Sequence, residues 1–77
     1  MPRVHAERNW AVYMHGLDHN PPHVHVISRE DEAVVRIADA EITAGALRPA
    51  VRRRALAWIE ANRPMLLATW NELQKGS

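Results

Sequence analysis

The spacing of the apolar residues changes once along this chain, and that change constrains the fold more than any other feature. Up to residue 44, apolar and polar side chains alternate, as in the run from Trp10 to His15, and alternation is typical of strands that bury one face. We predict strands at about 9–15, 23–28 and 32–38, with a short edge strand at 40–44. After residue 47 the apolar residues recur every three or four positions, which predicts helices.

Two apolar stripes indicate two short helices at 47–75. Proline is favoured in the first turn of a helix, so Pro49 and Pro64 mark the two starts, and Gly76 marks the end of the second helix. We therefore predict one α+β domain over residues 1–77, in which an antiparallel three- to four-stranded β-meander at 9–44 is followed by two short α-helices packed on one face. The stripes are Val51, Ala55, Trp58, Ile59 and Asn62, then Leu66, Leu67, Trp70 and Leu73.

Length and composition narrow the class of protein. A chain of 77 residues builds one small core, to which a partner chain would add stability. The absence of cysteine excludes disulfides and thiolate metal sites, and the net charge of +1 gives no overall basic field. No stretch approaches the ~20 apolar residues of a membrane span, and the first residues lack the apolar core of a signal peptide. We expect a cytoplasmic protein with no membrane partner.

Three of the five histidines fall within seven residues, and a double proline restricts the loop that leads to the last two. If the first hairpin places His15 opposite His23, both share a sheet face with His25, because directly opposed residues lie on one face. A two-residue turn at 30–31 would then pair His25 with Arg36. We expect this face to point away from the helices, because buried imidazole nitrogens would need polar partners. The histidine run is Asp18-His19-Asn20-Pro21-Pro22-His23-Val24-His25-Val26.

This cluster is compatible with a metal site. His23 and His25 are two apart on a strand, so both project from one face, and His19 would approach from the loop. Three imidazoles with an open fourth position suit zinc or another divalent metal. Asp18 or His15 would serve as the fourth ligand or would orient the others.

The same residues are also compatible with acid–base catalysis on RNA. One neutral histidine among His15, His23 and His25 would take the proton of a 2′-hydroxyl, while a protonated one would support the leaving oxygen. Arg36 would hold the phosphate, and Tyr13 shares their face. The histidines could instead form a rigid loop that packs on Tyr13, so the pattern alone does not decide whether the chain is an enzyme.

A basic run in the first helix is a further candidate for binding. Arg48, Arg52, Arg53 and Arg54 fall within seven residues, and such a run either contacts phosphate or an acidic partner or is a solvated helix face. We expect Trp58 and Trp70 to pack in the core, and Trp70 could also contact a second chain.

The histidine run, the pair Glu32-Ala33, the pair Ala57-Trp58 and the pattern Leu66-Leu67-x-x-Trp70-x-x-Leu73 resemble the small bacterial domain-of-unknown-function family 4160 over roughly residues 10–75. The resemblance implies a component of a toxin–antitoxin module encoded beside a small cognate partner protein. It implies no reaction. It also implies an acidic residue at the position of Arg36, where a carboxylate would complete a metal site, so the arginine weakens the metal interpretation here. The basic run at 52–54 is denser than the resemblance implies.

These observations leave two hypotheses open. In the first, the chain acts through its histidine-rich surface as a ribonuclease-like toxin or a metal-dependent hydrolase. In the second, it is a non-catalytic protein- or nucleic-acid-binding module that uses the sheet and the arginine-rich helix. Contact with RNA or DNA and formation of a homodimer are compatible with both.

Overall fold

The alternating half of the chain forms one antiparallel sheet in which strands that are consecutive in sequence are neighbours in space. The computed structural model describes residues 2–16 and 19–75. The predicted α+β architecture, a meander followed by two helices, is confirmed. The elements are β1 (Arg3–Ala6), β2 (Trp10–Tyr13), β3 (His23–Ser28), β4 (Glu32–Arg36), β5 (Glu41–Gly45), α1 (Pro49–Ala61) and α2 (Arg63–Lys75).

The sheet has five strands, so the prediction of three or four was wrong. The strand that the prediction omitted is β1, which pairs with β2 and places His5 opposite Val12. β1 is only four residues long, and Val4 is its one large apolar residue, which is too little alternation to distinguish a strand from a loop. β2 is also shorter than predicted, because it ends at Tyr13.

The two hairpins next to β3 differ in how well their registers were predicted. β2 and β3 pair as expected, with Tyr13 opposite His25. β3 and β4 pair two residues away from the predicted register, so that His23 and not His25 lies opposite Arg36. The turn still has two residues between paired positions, but it lies one residue earlier than predicted, at 29–30, because the backbone N–H of Ser28 donates to the carbonyl of Asp31 at 2.8 Å. A shift of two residues leaves every side chain on its predicted face.

One face of the sheet forms the core with both helices. Val12, Val24, Val26 and Val35 are completely buried, and they belong to one apolar cluster with residues from α1 and α2. The predicted helical stripes are confirmed at their centres, since the buried helical residues are Ala55, Ile59, Leu66 and Trp70. Among the described residues no polar or charged side chain is fully buried, and the imidazoles of His15, His23 and His25 are half-buried.

Each helix has a proline in its first turn, and a single asparagine separates the two helices. Pro49 occupies the first turn of α1 after an extended Arg48, as predicted, and Pro64 is the second residue of α2. Asn62 ends α1 by donating its Nδ2 amide to the carbonyl of Trp58 at 2.8 Å. Arg63 Nε donates to the carbonyl of Ile37 at 2.8 Å, which ties the start of α2 to the end of β4. In the described parts of the chain, neither helix has the length and apolar content that a membrane crossing requires.

Candidate functional site

The sheet face opposite the core carries the predicted histidine surface, which comprises Tyr13, His15, His23, His25 and Arg36. Tyr13 lies opposite His25, and His23 lies opposite Arg36. The intervening residues Val12, Val24 and Val35 are buried on the other face, as the two-residue period of a strand requires. His15 lies just beyond β2, and its ring nevertheless packs against that of His25. The structure therefore brings the five predicted acid–base residues to one surface.

His25 is the centre of three adjacent imidazoles. Its ring centroid lies 4.2 Å from that of His15 and 5.5 Å from that of His23, with edge-on geometry in both cases. The Oε2 atom of Glu32 lies 3.8 Å from His25 Nδ1, so one carboxylate borders the three imidazoles.

His23 is held by the proline loop and by a tryptophan of α2. Its Nδ1 lies 2.9 Å from the carbonyl oxygen of Pro21, which follows a cis Asn20–Pro21 peptide bond. A carbonyl oxygen only accepts, so Nδ1 carries the proton and the lone pair of neutral His23 is on Nε2. The ring of Trp70 lies 5.1 Å away. The histidine face was expected to point away from the helices, and His23 departs from this because its ring contacts the second half of α2.

A cleft of about 360 Å³ opens beside His23. We call it the histidine cleft. It brings together two imidazoles, a guanidinium, a hydroxyl and an amide, so it offers proton donors and acceptors within the size of a small-molecule site, roughly 300–1,000 Å³. The lining residues are His19, Asn20, Pro21, His23, Val34, Arg36 and Thr43.

Arg36 is bound to two carboxylates at the wall of the cleft. Its Nε and Nη2 donate to Asp39 at 3.0 and 2.6 Å, and Nη2 also donates to Glu41 at 3.0 Å. The hydrogen bonds to Asp39 raise the pKa of Arg36, with a further contribution from Glu41, and the hydrogen bond from Arg36 lowers the pKa of Asp39. Two negative charges therefore compensate the positive charge that was predicted to hold a phosphate.

The three predicted metal ligands are only partly brought together. His19 and His23 line the same cleft, and His25 packs against His23 from the sheet. Across residues 2–16 and 19–75, no group of three His, Asp or Glu side chains has a geometry suited to holding a metal ion. Asp18, a predicted fourth ligand, lies outside the described residues.

The predicted partner-binding arginines divide into two groups. Arg48 is paired with Glu30, and its Nε lies 3.5 Å from Asp31 Oδ2, so its charge is compensated at the 28–31 turn. Arg52, Arg53 and Arg54 are exposed on α1.

Four residues near the site were not predicted from the sequence. Glu32, Asp39 and Glu41 contact predicted site residues, and Thr43 lines the cleft. Asp39 follows Arg36 by three positions in a turn, and that charge spacing was a usable signal. Glu41 and Thr43 are brought in by strand pairing, which sequence spacing does not show.

Comparisons with known proteins give a family and no activity. The family model described as "Domain of unknown function (DUF4160)" matches residues 9–71 of the chain, which include the histidine run, the cleft and most of both helices. Searches of curated proteins and of solved structures found no match to the chain.

Proposed function

The chain belongs to the DUF4160 family, whose description assigns no function, and we propose that it cleaves RNA by imidazole acid–base catalysis in the histidine cleft. One observation carries the proposal: His19 and His23 line the same cleft, together with Arg36 and Thr43. Two imidazoles on one bound group can act as base and acid in a single reaction. RNA suits such a site because its 2′-hydroxyl is an internal nucleophile that needs only a proton acceptor.

In the proposed reaction the 2′-hydroxyl attacks the adjacent phosphorus and the bond to the 5′-oxygen breaks. His23 Nε2 takes the proton of the 2′-hydroxyl, a role supported by the Nδ1 contact with Pro21 that puts the lone pair on Nε2. Protonated His19 gives a proton to the leaving 5′-oxygen. The products are a 2′,3′-cyclic phosphate and a free 5′-hydroxyl, and the two histidines have exchanged protonation states.

The carboxylates around Arg36 determine how a phosphate would bind. The hydrogen bonds to Asp39 and Glu41 use Nε and Nη2, so Nη1 is the donor we assign to the substrate. Because Asp39 and Glu41 compensate the guanidinium charge, attraction for phosphate depends on a protonated imidazole. Imidazole changes charge between about pH 5 and 8, so we expect a bell-shaped dependence of cleavage rate on pH.

We further propose that this activity belongs to a toxin–antitoxin module with a small cognate protein. The histidine run and the helical pattern resemble the DUF4160 family, and the resemblance implies a toxin–antitoxin component. Family membership supports the resemblance. A small domain that carries a proton-transfer site and a separate charged helix is compatible with one half of such a pair.

The test is cleavage of a labelled RNA oligonucleotide by the purified chain in the presence of EDTA. We expect products that end in a 2′,3′-cyclic phosphate, and a rate loss of about 100-fold or more in His19→Ala and in His23→Gln. His19 is exposed, so its truncation leaves the core intact. His5→Gln is the matched control, because His5 does not line the cleft and stacks instead on Trp58 of α1. An inert wild-type chain, or cleavage that survives both cleft variants, would contradict the proposal.

A further inference from the structure

We propose that α1 and a hollow beside its first turn bind an acidic segment of another protein. Arg52, Arg53 and Arg54 are exposed, and no carboxylate of the residues that the structure describes forms an ion pair with them. Their positive charge is thus uncompensated, unlike that of Arg48. Arginine offers a planar fork of donors that matches carboxylates, so an acidic partner fits these side chains chemically.

The hollow supplies an apolar contact next to these charges. It has a volume of about 240 Å³ and lies between the 28–31 turn and the start of α1. Val51 lies at its wall and is only partly buried, so an aliphatic side chain of a partner would cover exposed apolar surface there. The other lining residues are Asn9, Ser28, Arg29, Glu30 and Arg48.

The distribution of charge favours a protein over a nucleic acid as the occupant. Glu30 lines the hollow, and both Glu30 and Asp31 contact Arg48, so a phosphate backbone that crossed from α1 to the turn would meet two carboxylates. Single-stranded nucleic acid also prefers exposed aromatic platforms. The tryptophan of α1, Trp58, is instead stacked on His5 at 4.3 Å. The docking surface thus carries positive, negative and apolar groups side by side, and a protein segment can offer a complementary group to each.

The partner is a different protein and not a second copy of this chain. The longest acidic run in the sequence is Glu30-Asp31-Glu32. Its first two members pair with Arg48, and the third lies 3.8 Å from His25. A second copy therefore has no uncompensated acidic run to offer.

The docking surface lies at the opposite end of β3 from the histidine cleft. The cleft adjoins His23, the first residue of β3, and the hollow adjoins Ser28, the last. Six residues of strand separate the two ends by roughly 16 Å. A partner on α1 would leave the cleft accessible, so this inference does not depend on the proposed RNA cleavage and is tested separately.

The test measures binding of a fluorescent peptide in which glutamates alternate with leucines. The probes for comparison are its glutamine counterpart and a polyuridylate RNA, and fluorescence anisotropy reports the affinity of each. We expect the acidic peptide to bind more tightly than either. Arg52→Glu with Arg53→Glu should weaken it by roughly tenfold or more, and Val51→Ala should weaken it severalfold, since a tenfold change corresponds to about 1.4 kcal/mol.

Arg3→Glu with Lys75→Glu is the matched control, because it changes the net charge equally at exposed positions outside α1 and should alter affinity less than twofold. The α1 variant should also remain folded, because Arg48 and Arg52 are like charges four residues apart and a glutamate at 52 removes that repulsion. Circular dichroism checks this. Three outcomes would overturn the inference: no peptide binding, tighter binding of the RNA, or equal losses in both charge-reversal variants. RNA cleavage by the α1 variant reports on the cleft independently.

Discussion

Arg36 illustrates how neighbouring side chains decide what a single residue can do. The sequence predicted that it binds phosphate. In the fold its guanidinium donates two hydrogen bonds to Asp39 and one to Glu41. This arrangement orders the turn between β4 and β5, and it reduces the net charge that the histidine cleft presents. Arg36 is therefore a structural residue of the turn, and only its Nη1 is assigned to phosphate in the proposed reaction.

We predict that Asp39→Asn makes stability depend less on pH in the acid range. The lowered pKa of Asp39 means that the folded chain stabilises its carboxylate. That contribution is fully present above the ordinary pKa of an aspartate, about 4, and is lost as pH falls through the lower folded pKa. The difference in unfolding midpoint between wild type and Asp39→Asn should thus be largest near pH 7 and disappear in strong acid.

Glu72→Gln provides the control for this titration. Glu72 is exposed on α2, and no ion pair joins it to any other described side chain. Its removal should leave the acid limb of the stability curve unchanged. A difference between wild type and Asp39→Asn that stays constant from neutral to acid pH would show that Asp39 contributes through something other than its charge.

The strands show which structural elements local sequence specifies. β2 and β3 alternate cleanly between core and surface, so their existence and their faces followed from the period of two, whereas their register followed from the assumed pairing of His15 with His23. β1 lacks that alternation and forms because β2 offers it an edge. The β3–β4 register depends on the hydrogen bonds around Ser28 and Asp31, and the position of a turn is not encoded in strand periodicity. The histidine surface was predictable for the same reason that its strands were, whereas His19 entering the cleft depends on the loop path.

At the end of β5, one glycine is required by the backbone. Gly45 has a φ of +74°, and a Cβ there would overlap the carbonyl oxygen of Glu32 on β4. Side chains other than hydrogen are strained in this region of φ, at a cost of about 1–3 kcal/mol. We predict that Gly45→Ala lowers the free energy of unfolding by at least about 1 kcal/mol, measured by urea denaturation.

Gly16→Ala is the matched control for this substitution. A Cβ at Gly16 would lie 3.8 Å from the carbonyl oxygen of Leu73, an ordinary contact, and its φ is not in the left-handed region. Its effect on the free energy of unfolding should be much smaller. Equal losses in the two variants would mean that general glycine flexibility, and not the close approach of β5 to β4, explains the requirement at 45.

Across the whole molecule, two imidazoles outside the strand–helix core contact tryptophans of different helices. His5 of β1 stacks on Trp58 of α1, with ring centroids 4.3 Å apart and planes at 17°. His23 of β3 approaches Trp70 of α2 at 5.1 Å with a 53° tilt. Each contact joins the sheet to one helix, and only the second reaches the histidine cleft. The core of so small a domain contributes only about 3–5 kcal/mol to the free energy of unfolding. Both histidine–tryptophan contacts therefore matter for holding the helices in place.

We predict that the two histidine–tryptophan contacts respond independently to mutation. Trp70→Phe keeps an aromatic ring in the core but moves it relative to His23, so the NMR signals of the His23 ring should shift while those of His5 stay in place. Trp58→Phe should produce the reverse pattern, because aromatic rings act on nearby nuclei only over a few ångströms. Imidazole signals assigned by histidine substitution give the measurement. If Trp58→Phe moved the His23 signals as strongly as Trp70→Phe does, the helices would be coupled as one body, and a partner bound to α1 would then reach the cleft through the packing of α2.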